Sequence, residues 1–520
     1  MAHAEVLIAL LGALVVLAGA ARRLDIPSPI VLVAGGVGIS LIPGLPPVHL
    51  ESEVIFLVFL PPLLYAAGFN SSPRELRAQA RHIAILAIGL VGATTAAVAF
   101  AVHLVVPGFA WPEAFVLGAI LAPTDPVAAV AVMQRLQVAP RIASLVEGES
   151  LVNDGVGLVA YRVAVAATAT GAFSVLDAGG EFVLTGTGGV AIGLAVGWAV
   201  AALRRRIDDP PVEIALSLFT PYLAYVTAEA AHTSGILAAV TVGLYLGTRG
   251  DGLFSASARL EALAFWKLLV FLLESTLFLL MGLQFAEVAG RIEELSAGRV
   301  ALAVLVTALV VILLRLLWMY SVGPLLRVLI PGRPKEEPPK LDPAERLVVG
   351  WSGMRGAVSL AAALAIPATV DGGGAFPQRD LIVFVTFSVI VLNLVVQGLT
   401  LPVLIRRLGL AAGDDLDDAE HRARVAAAEA ALAALGDAGD DDAAQRIRGM
   451  YESRLTRRRA PLEESAEHER EHAEIYTELR EELLRAERRA VLELHERGEL
   501  PDDALRRIQR DLDLEEARLS

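Results

Sequence analysis

ILAPTDPVAAV, residues Ile120 to Val130, is an apolar run with two prolines set around a Thr-Asp pair. Pro126 disfavours helical geometry at Asp125 and removes the N–H that the carbonyl of Ala122 would have accepted; Pro123 does the same to Ala119. The flanks are greasy enough to be helical, so the stretch predicts a helix broken in its middle, with an acid at the break. Unpaired backbone is tolerated at membrane depth only where protein groups or a water-filled cavity satisfy it.

The whole chain supports a membrane setting. Its 520 residues are 55% hydrophobic, with a mean hydropathy of +0.58, which soluble domains rarely reach. Segments of about 20 apolar residues, the length that crosses a bilayer, recur at roughly 5–20, 27–43, 52–69, 82–106, 112–135, 143–169, 181–203, 212–230, 234–249, 262–287, 299–329, 344–367 and 380–405. That is about thirteen spans in an all-α polytopic membrane protein. The first run lacks a positively charged leader, and Arg22 and Arg23 follow it, so it reads as a first span and not a cleaved signal.

Basic residues gather in alternate connections: Arg22 and Arg23; Arg74, Arg77 and Arg81; Arg135 and Arg141; Arg204 to Arg206; Arg249 and Arg259; Arg333, Lys335 and Lys340. The rule that positive loops face the cytoplasm places the N-terminus outside and the C-terminus inside, in a cell membrane. Two echoes suggest internal symmetry. DIPSPIVLVAGGVGISL in span 2 resembles HTSGILAAVTVGLYLG in span 9, and FLPPLLYAAGF in span 3 resembles ESTLFLLMGLQF in span 10. Spans 1–6 and 8–13 would then be inverted repeats, a construction common in secondary transporters.

The chain divides at about residue 410. Positions 1–410 form the membrane domain, and 411–520 a charged, alanine-rich, helical cytoplasmic domain of regulatory character. From Ala411 onward about 30 acidic and 18 basic residues hold most of the net charge of −14. His468 and His472 share a helical face there and read as a solvated face, not a metal site. Cysteine is absent, so no disulfide or thiolate site exists. No basic footprint for nucleic acid occurs, nor an H-E-x-x-H or P-loop signature of an enzyme, and no cofactor is implied.

EGESLVNDGVGLV, Glu147 to Val159, places three carboxylates in another greasy span, where each costs about 2.5–3.5 kcal/mol on insertion scales. Ser150 and Asp154, four apart, share a helix face, and Glu147 lies on the same side. A hydroxyl and a carboxylate suit a hard cation. The same carboxylate can hold a proton, since burial disfavours its charged form. Competition between cation and proton at one acid is a minimal exchange device. In span 12, VGWSGMRGAVSLAAALAIP carries Arg355 between Gly353 and Gly356 and corresponds to span 5 under the repeat. Facing breaks expose half-helix ends of both signs, so Asp125 would balance the positive ends and Arg355 the negative ones. Glu149 is the expected partner of the buried Arg355.

The set PTDP, GESLVND and GMRGAVSLA, in this order, resembles the NhaP-type sodium/proton antiporters, bacterial relatives of the animal sodium/proton exchangers. The likeness covers about 400 residues. It implies a thirteen-helix homodimer in an inverted-repeat antiporter fold with two crossed broken helices. Spans 1–3 and 8–10 would form the dimerisation domain, and spans 4–6 and 11–13 the mobile core. It also implies that Asp154 carries ion and proton, that Ser150, Asp125 and the Thr124 carbonyl complete the Na+ ligands, and that Glu149 and Arg355 form a structural pair. Asn153 before Asp154 marks the electroneutral branch.

The function expected is exchange of cytoplasmic Na+ or Li+ for external H+, one for one, by alternating access. K+/H+ exchange in the same fold is the alternative; a channel or sensor is weaker, because the spans offer one midplane cluster and no continuous polar path. The sequence departs from the resemblance at Ala66, where LPPLLYAAG replaces a pattern that often carries an acid. Glu274 in span 10 reads as a buried helix contact and not as a replacement ligand. Arg315 is expected to support the core, Arg162 to snorkel or pair locally, and Glu147 to line an entry funnel.

Overall fold

Prolines and small polar caps set the helix starts. Helix α1 spans Ala2–Leu24, and α2 (Ser28–Ser40) starts directly after Pro27. Helix α3 (Leu60–Asn70) is followed, after a π-helical turn at Ile85–Leu90, by α4 (Val91–Val105). Trp111–Leu121 is α5, Val127–Arg135 is α6, and Pro140–Thr170 is the long α7. Helices α8 (Val175–Arg204), α9 (Pro210–Ala230) and α10 (Gly235–Gly247) follow. Asp209 caps α9 by accepting from Val212 N, and Ser234 caps α10 by accepting from Leu237 N at 3.2 Å. The remaining helices of this part are α11 (Ala256–Arg291), α12 (Ala297–Leu329), α13 (Pro343–Trp351), α14 (Ala357–Leu364) and α15 (Arg379–Arg407).

This computed structural model describes residues 2–24, 26–42, 56–71, 83, 85–170, 175–207, 209–249, 256–292, 296–329, 341–370, 373–411, 425–435, 442–459, 480, 483–494 and single positions between 497 and 515. Arg74, Arg77, Arg81, Arg333, Lys335, Lys340, His468 and His472 lie outside the described residues. The chain forms two compact units, Met1–Ala412 and Gly413–Ser520. The second contains α16 (Asp442–Arg459), with further helix at 425–435 and 483–494, and an ion pair between Arg480 and Glu515.

Among the described residues of the first unit there is no named strand, and each expected span holds a helix or a helix cut in two. Five helical stretches are long and apolar enough to cross a membrane by that measure alone; several others are shorter because they are broken or flank undescribed residues. The exterior is apolar where a soluble protein would be polar. Leu184, Leu194 and Trp198 on α8, Phe219 and Val226 on α9, and Leu305, Leu313 and Leu317 on α12 are all exposed. An apolar surface on this scale suits lipid and not water.

Packing follows a reciprocal pattern. Helix α2 lies on α11, and α3 on α10. Both contacts are backbone to backbone. A Cβ added at Gly36 would meet the Leu279 carbonyl and Gly282 Cα, and one at Gly68 would meet the Val240 carbonyl at 2.7 Å. Gly243 and Gly247 return the contact toward Tyr65 and Phe69. Small residues that bring backbones together are the usual means of helix association in lipid. A two-fold relating span 2 to span 9 and span 3 to span 10 must turn the first contact into the second, and this is the arrangement found. The other half behaves alike: α4 packs on α5 and α12 on α13, while α5 packs on α7 and α14 on α15.

Candidate functional site

Two helices stop and restart in the middle of the bundle: α5 ends at Leu121 and α6 begins at Val127, while α13 ends at Trp351 and α14 begins at Ala357. The extended segments between the halves touch. Asp125 N donates to the Met354 carbonyl at 2.8 Å. One carboxylate oxygen of Asp125 accepts from Val127 N and the other from Ala357 N, each at 3.0 Å. Asp125 therefore caps both restarting half-helices at once. Arg355, 1% exposed, donates Nη1 to the Pro123 carbonyl at 3.0 Å, just past the end of α5.

Gly356 is where the two breaks approach most closely, and an added Cβ would collide with the Asp125 carboxylate. Gly356→Ala is expected to lose exchange activity and to destabilise the protein by about 1–3 kcal/mol, the range for overpacking. Thermal denaturation in detergent, beside flux measurements, checks this. An unchanged melting temperature with full flux would show that the contact is not needed.

Helix α7 supports the crossing from the side. The Asn153 amide uses both ends on Thr124: Nδ2 donates to Thr124 Oγ1 at 2.7 Å, and Oδ1 accepts from Thr124 N at 3.3 Å. Ser150 Oγ donates to the Thr124 carbonyl at 2.5 Å. Gly157 lets α7 settle against the ring of Pro123. Asp154, one turn beyond Ser150, is 8% exposed, and its Oδ1 has no hydrogen-bond partner among the described residues.

Asp154 borders a cavity of about 390 Å³ with Asp125, Ser150, Thr124 and Gly356. The cavity also reaches Asn70 and Ser71 at the end of α3, Gln134 at the end of α6, and Glu147 in the first half of α7. Among the described residues, four carboxylates, those of Asp125, Glu147, Asp154 and Glu274, border this space, and no lysine or arginine does. Such a cleft concentrates cations. Oxygen from two carboxylates, a hydroxyl and a carbonyl is a donor set suited to a hard monovalent ion; no metal-type cluster of His, Cys, Asp or Glu occurs among the described residues.

Two expectations are corrected here. Glu149 pairs not with Arg355 but with Arg315 of α12, which grips both carboxylate oxygens, one at 2.7 Å, and also donates to the Val349 carbonyl at 3.2 Å. Both side chains are fully buried, and Arg355 is taken by a carbonyl instead. Arg162 pairs neither locally nor with lipid; it crosses to Glu229 of α9 at 2.6 Å, whose same oxygen accepts from Gly235 N at 3.0 Å at the start of α10. Glu274, expected as a buried helix contact, is partly buried on α11 and also borders the cavity that holds Asp154. The signal that was readable for Arg315 is a lone guanidinium in an otherwise apolar span, which demands an acid; spacing alone cannot decide which of two arginines Glu149 meets.

A bundle of apolar-surfaced helices, with two broken helices crossing beside a buried acid that opens on an acidic cavity, defines a multi-pass secondary cation/proton antiporter. Residues 6–407 match the sodium/hydrogen exchanger transmembrane family, and the chain belongs to it. An uncharacterised Na+/H+ exchanger of Mycobacterium tuberculosis is 37% identical over 99% of this chain and 96% of its own length. A sodium, potassium, lithium and rubidium/H+ antiporter of Bacillus pumilus is 33% identical over 80% of this chain and 63% of its own. The fold matches the sodium proton antiporter MjNhaP1 from Methanocaldococcus jannaschii with a TM-score of 0.59 at 20% identity, over 78% of this chain and 99% of that one. These relatives are transporters and not enzymes.

Proposed function

We propose that the protein exchanges cytoplasmic Na+ or Li+ for external H+ by alternating access, one for one, with Asp154 holding either the cation or the proton. The observation that carries this is the unclaimed Oδ1 of Asp154 beside an acidic cavity. Asp125, Ser150 and the Thr124 carbonyl are the further cation ligands. Bare charge in an apolar interior is expensive, so the core crosses only when Asp154 is neutralised, which couples the two fluxes. Asn153 is an amide and cannot carry a second proton, which supports the one-for-one ratio.

The cavity end near Asn70 and Gln134 faces the cytoplasm in this reading, with the N-terminus outside and the C-terminus inside, as the positive connections support. In this reading the state is inward-facing and the Arg162–Glu229 pair closes the far side. The chain acts as a homodimer through spans 1–3 and 8–10, the core is formed by spans 4–6 and 11–13, and residues 411–520 regulate it. Potassium is the second reading. Ala66, a side chain without a ligand atom, borders the cavity, and the B. pumilus relative is described as taking potassium among its cations.

Proton flux in proteoliposomes, with Na+, Li+ and K+ added separately, tests the proposal. Flux with Na+ or Li+ that ignores membrane voltage supports it; flux with K+ alone moves the substrate, and no cation-dependent flux overturns it. Glu147 borders the same cavity and is read as part of the entry funnel. Glu147→Gln is expected to raise the apparent KM for Na+ roughly twofold at low ionic strength, an effect that fades when choline chloride screens the funnel. An unchanged KM at low salt would remove Glu147 from the entry path.

A further inference from the structure

The cavity beside Asp154 has two kinds of wall. Helices α5, α6, α7 and α14 contribute Asp125, Ser150 and Asp154, and α3 and α11 contribute Ala66 and Glu274. The α3 and α11 side belongs to the glycine-packed set, in which α2 lies on α11 and α3 on α10. Glu274 is the acid that this side brings to the cavity among its lining residues. Among the described residues its carboxylate makes no hydrogen bond or ion pair, and no basic side chain borders the space to neutralise it. Asp125 has both oxygens occupied as helix caps. Asp154, 8% exposed and with Oδ1 unclaimed, borders the same space. Besides the helix-capping Asp125, a cation entering here therefore meets a carboxylate from each wall that has an oxygen not engaged in a hydrogen bond.

We propose that Glu274 is a specificity-determining cation ligand, supplied by the α3/α11 wall, that holds the entering monovalent ion against Asp154. The inference rests on the exchange reading, and it assigns Glu274 a role distinct from that of Asp154. Glu274 sets the affinity for the cation in this state of the protein. It does not carry the ion or the proton, so its loss leaves coupling intact. Size selection follows from the same geometry: a carboxylate on each wall favours a small ion that both can approach, so Na+ and Li+ suffer more from its removal than K+ does.

The test is steady-state exchange in proteoliposomes with the chlorides of Na+, Li+ and K+, for wild type, Glu274→Gln and the double variant Ala66→Glu/Glu274→Gln. Glu274→Gln is expected to raise the apparent KM for Na+ and Li+ about tenfold, as for removal of one partly screened charge beside the ion, with the maximal rate largely kept and a smaller change for K+. The double variant returns a carboxylate to the same wall and is expected to restore much of the Na+ affinity. An unchanged KM for all three cations overturns the proposal, as does a fall in maximal rate at constant KM. Should Glu274→Gln show no flux, the Na+ concentration that half-maximally stabilises the purified protein against heat is read instead. A midpoint moved upward supports the role, and one at the wild-type value sinks it. Wild type without any cation-dependent flux would defeat the exchange reading itself. The same thermal titration on wild type and Glu274→Gln then still judges whether Glu274 binds the ion.

Discussion

Asp154→Asn in proteoliposomes is expected to reduce cation-driven proton flux to that of protein-free liposomes, for Na+, Li+ and K+ alike. The substitution is nearly isosteric, and Asp154 Oδ1 has no partner among the described residues, so the amide can be turned to place its nitrogen there; folding should therefore survive, and a near wild-type melting temperature is the control. What disappears, on the proposed mechanism, is the charge for which cation and proton would compete. An amide neither binds a proton at working pH nor neutralises a monovalent cation, so the core has no cargo to exchange. Thermal stabilisation by Na+ should vanish together with flux. Flux that persists in a well-folded Asp154→Asn would end the mechanism proposed above, because no other residue has been given the coupling role.

The second large effect concerns stability. Glu149 and Arg315 are fully buried and tie α7 to α12, and through the Val349 carbonyl to α13. Removing one member of such a pair leaves the other charge without its counter-ion in a low-dielectric interior, at about 3–5 kcal/mol. Glu149→Ala and Arg315→Ala should each fall in that range by thermal or denaturant unfolding in detergent, with flux lost alongside. The double substitution should cost less than the sum of the singles, since no lone charge remains. Additive losses, or single variants as stable as wild type, would mean that the pair does not hold the core.

Much of this architecture is legible in the sequence for physical reasons. Prolines at 123 and 126 forbid a continuous helix, so the break at Asp125 could be located to the residue. An acid and an arginine at corresponding breaks announce their capping roles by sign alone. The four-residue spacing of Ser150 and Asp154 fixes a shared face. Partnerships across the bundle are less readable. Arg355 and Arg315 are equally plausible mates for Glu149 until the distance between helices is known. That Glu274 borders the cavity is not readable from the sequence, because its rotation about α11 depends on packing, and an apolar helix in lipid has no solvent-facing stripe from which to read it. Arg162 was misjudged for the same reason: its acid lies 67 residues away on α9, beyond any local pattern.

The double cap at the crossing has an electrical consequence. A helix N-terminus is equivalent to roughly half a positive charge, and Asp125 accepts from the first turns of two of them. One carboxylate and two half-charges sum to about zero, while the guanidinium of Arg355 sits at the negative end of α5. The intersection is thus self-neutralising before any ion arrives. The Asp154 carboxylate beside it is not balanced in this way, and on the exchange reading proposed above one proton or one monovalent cation would cancel it. On the proposed reading, a one-for-one ratio would follow from this arithmetic: with the crossing electrically silent, a single elementary charge on Asp154 would decide whether the door can move.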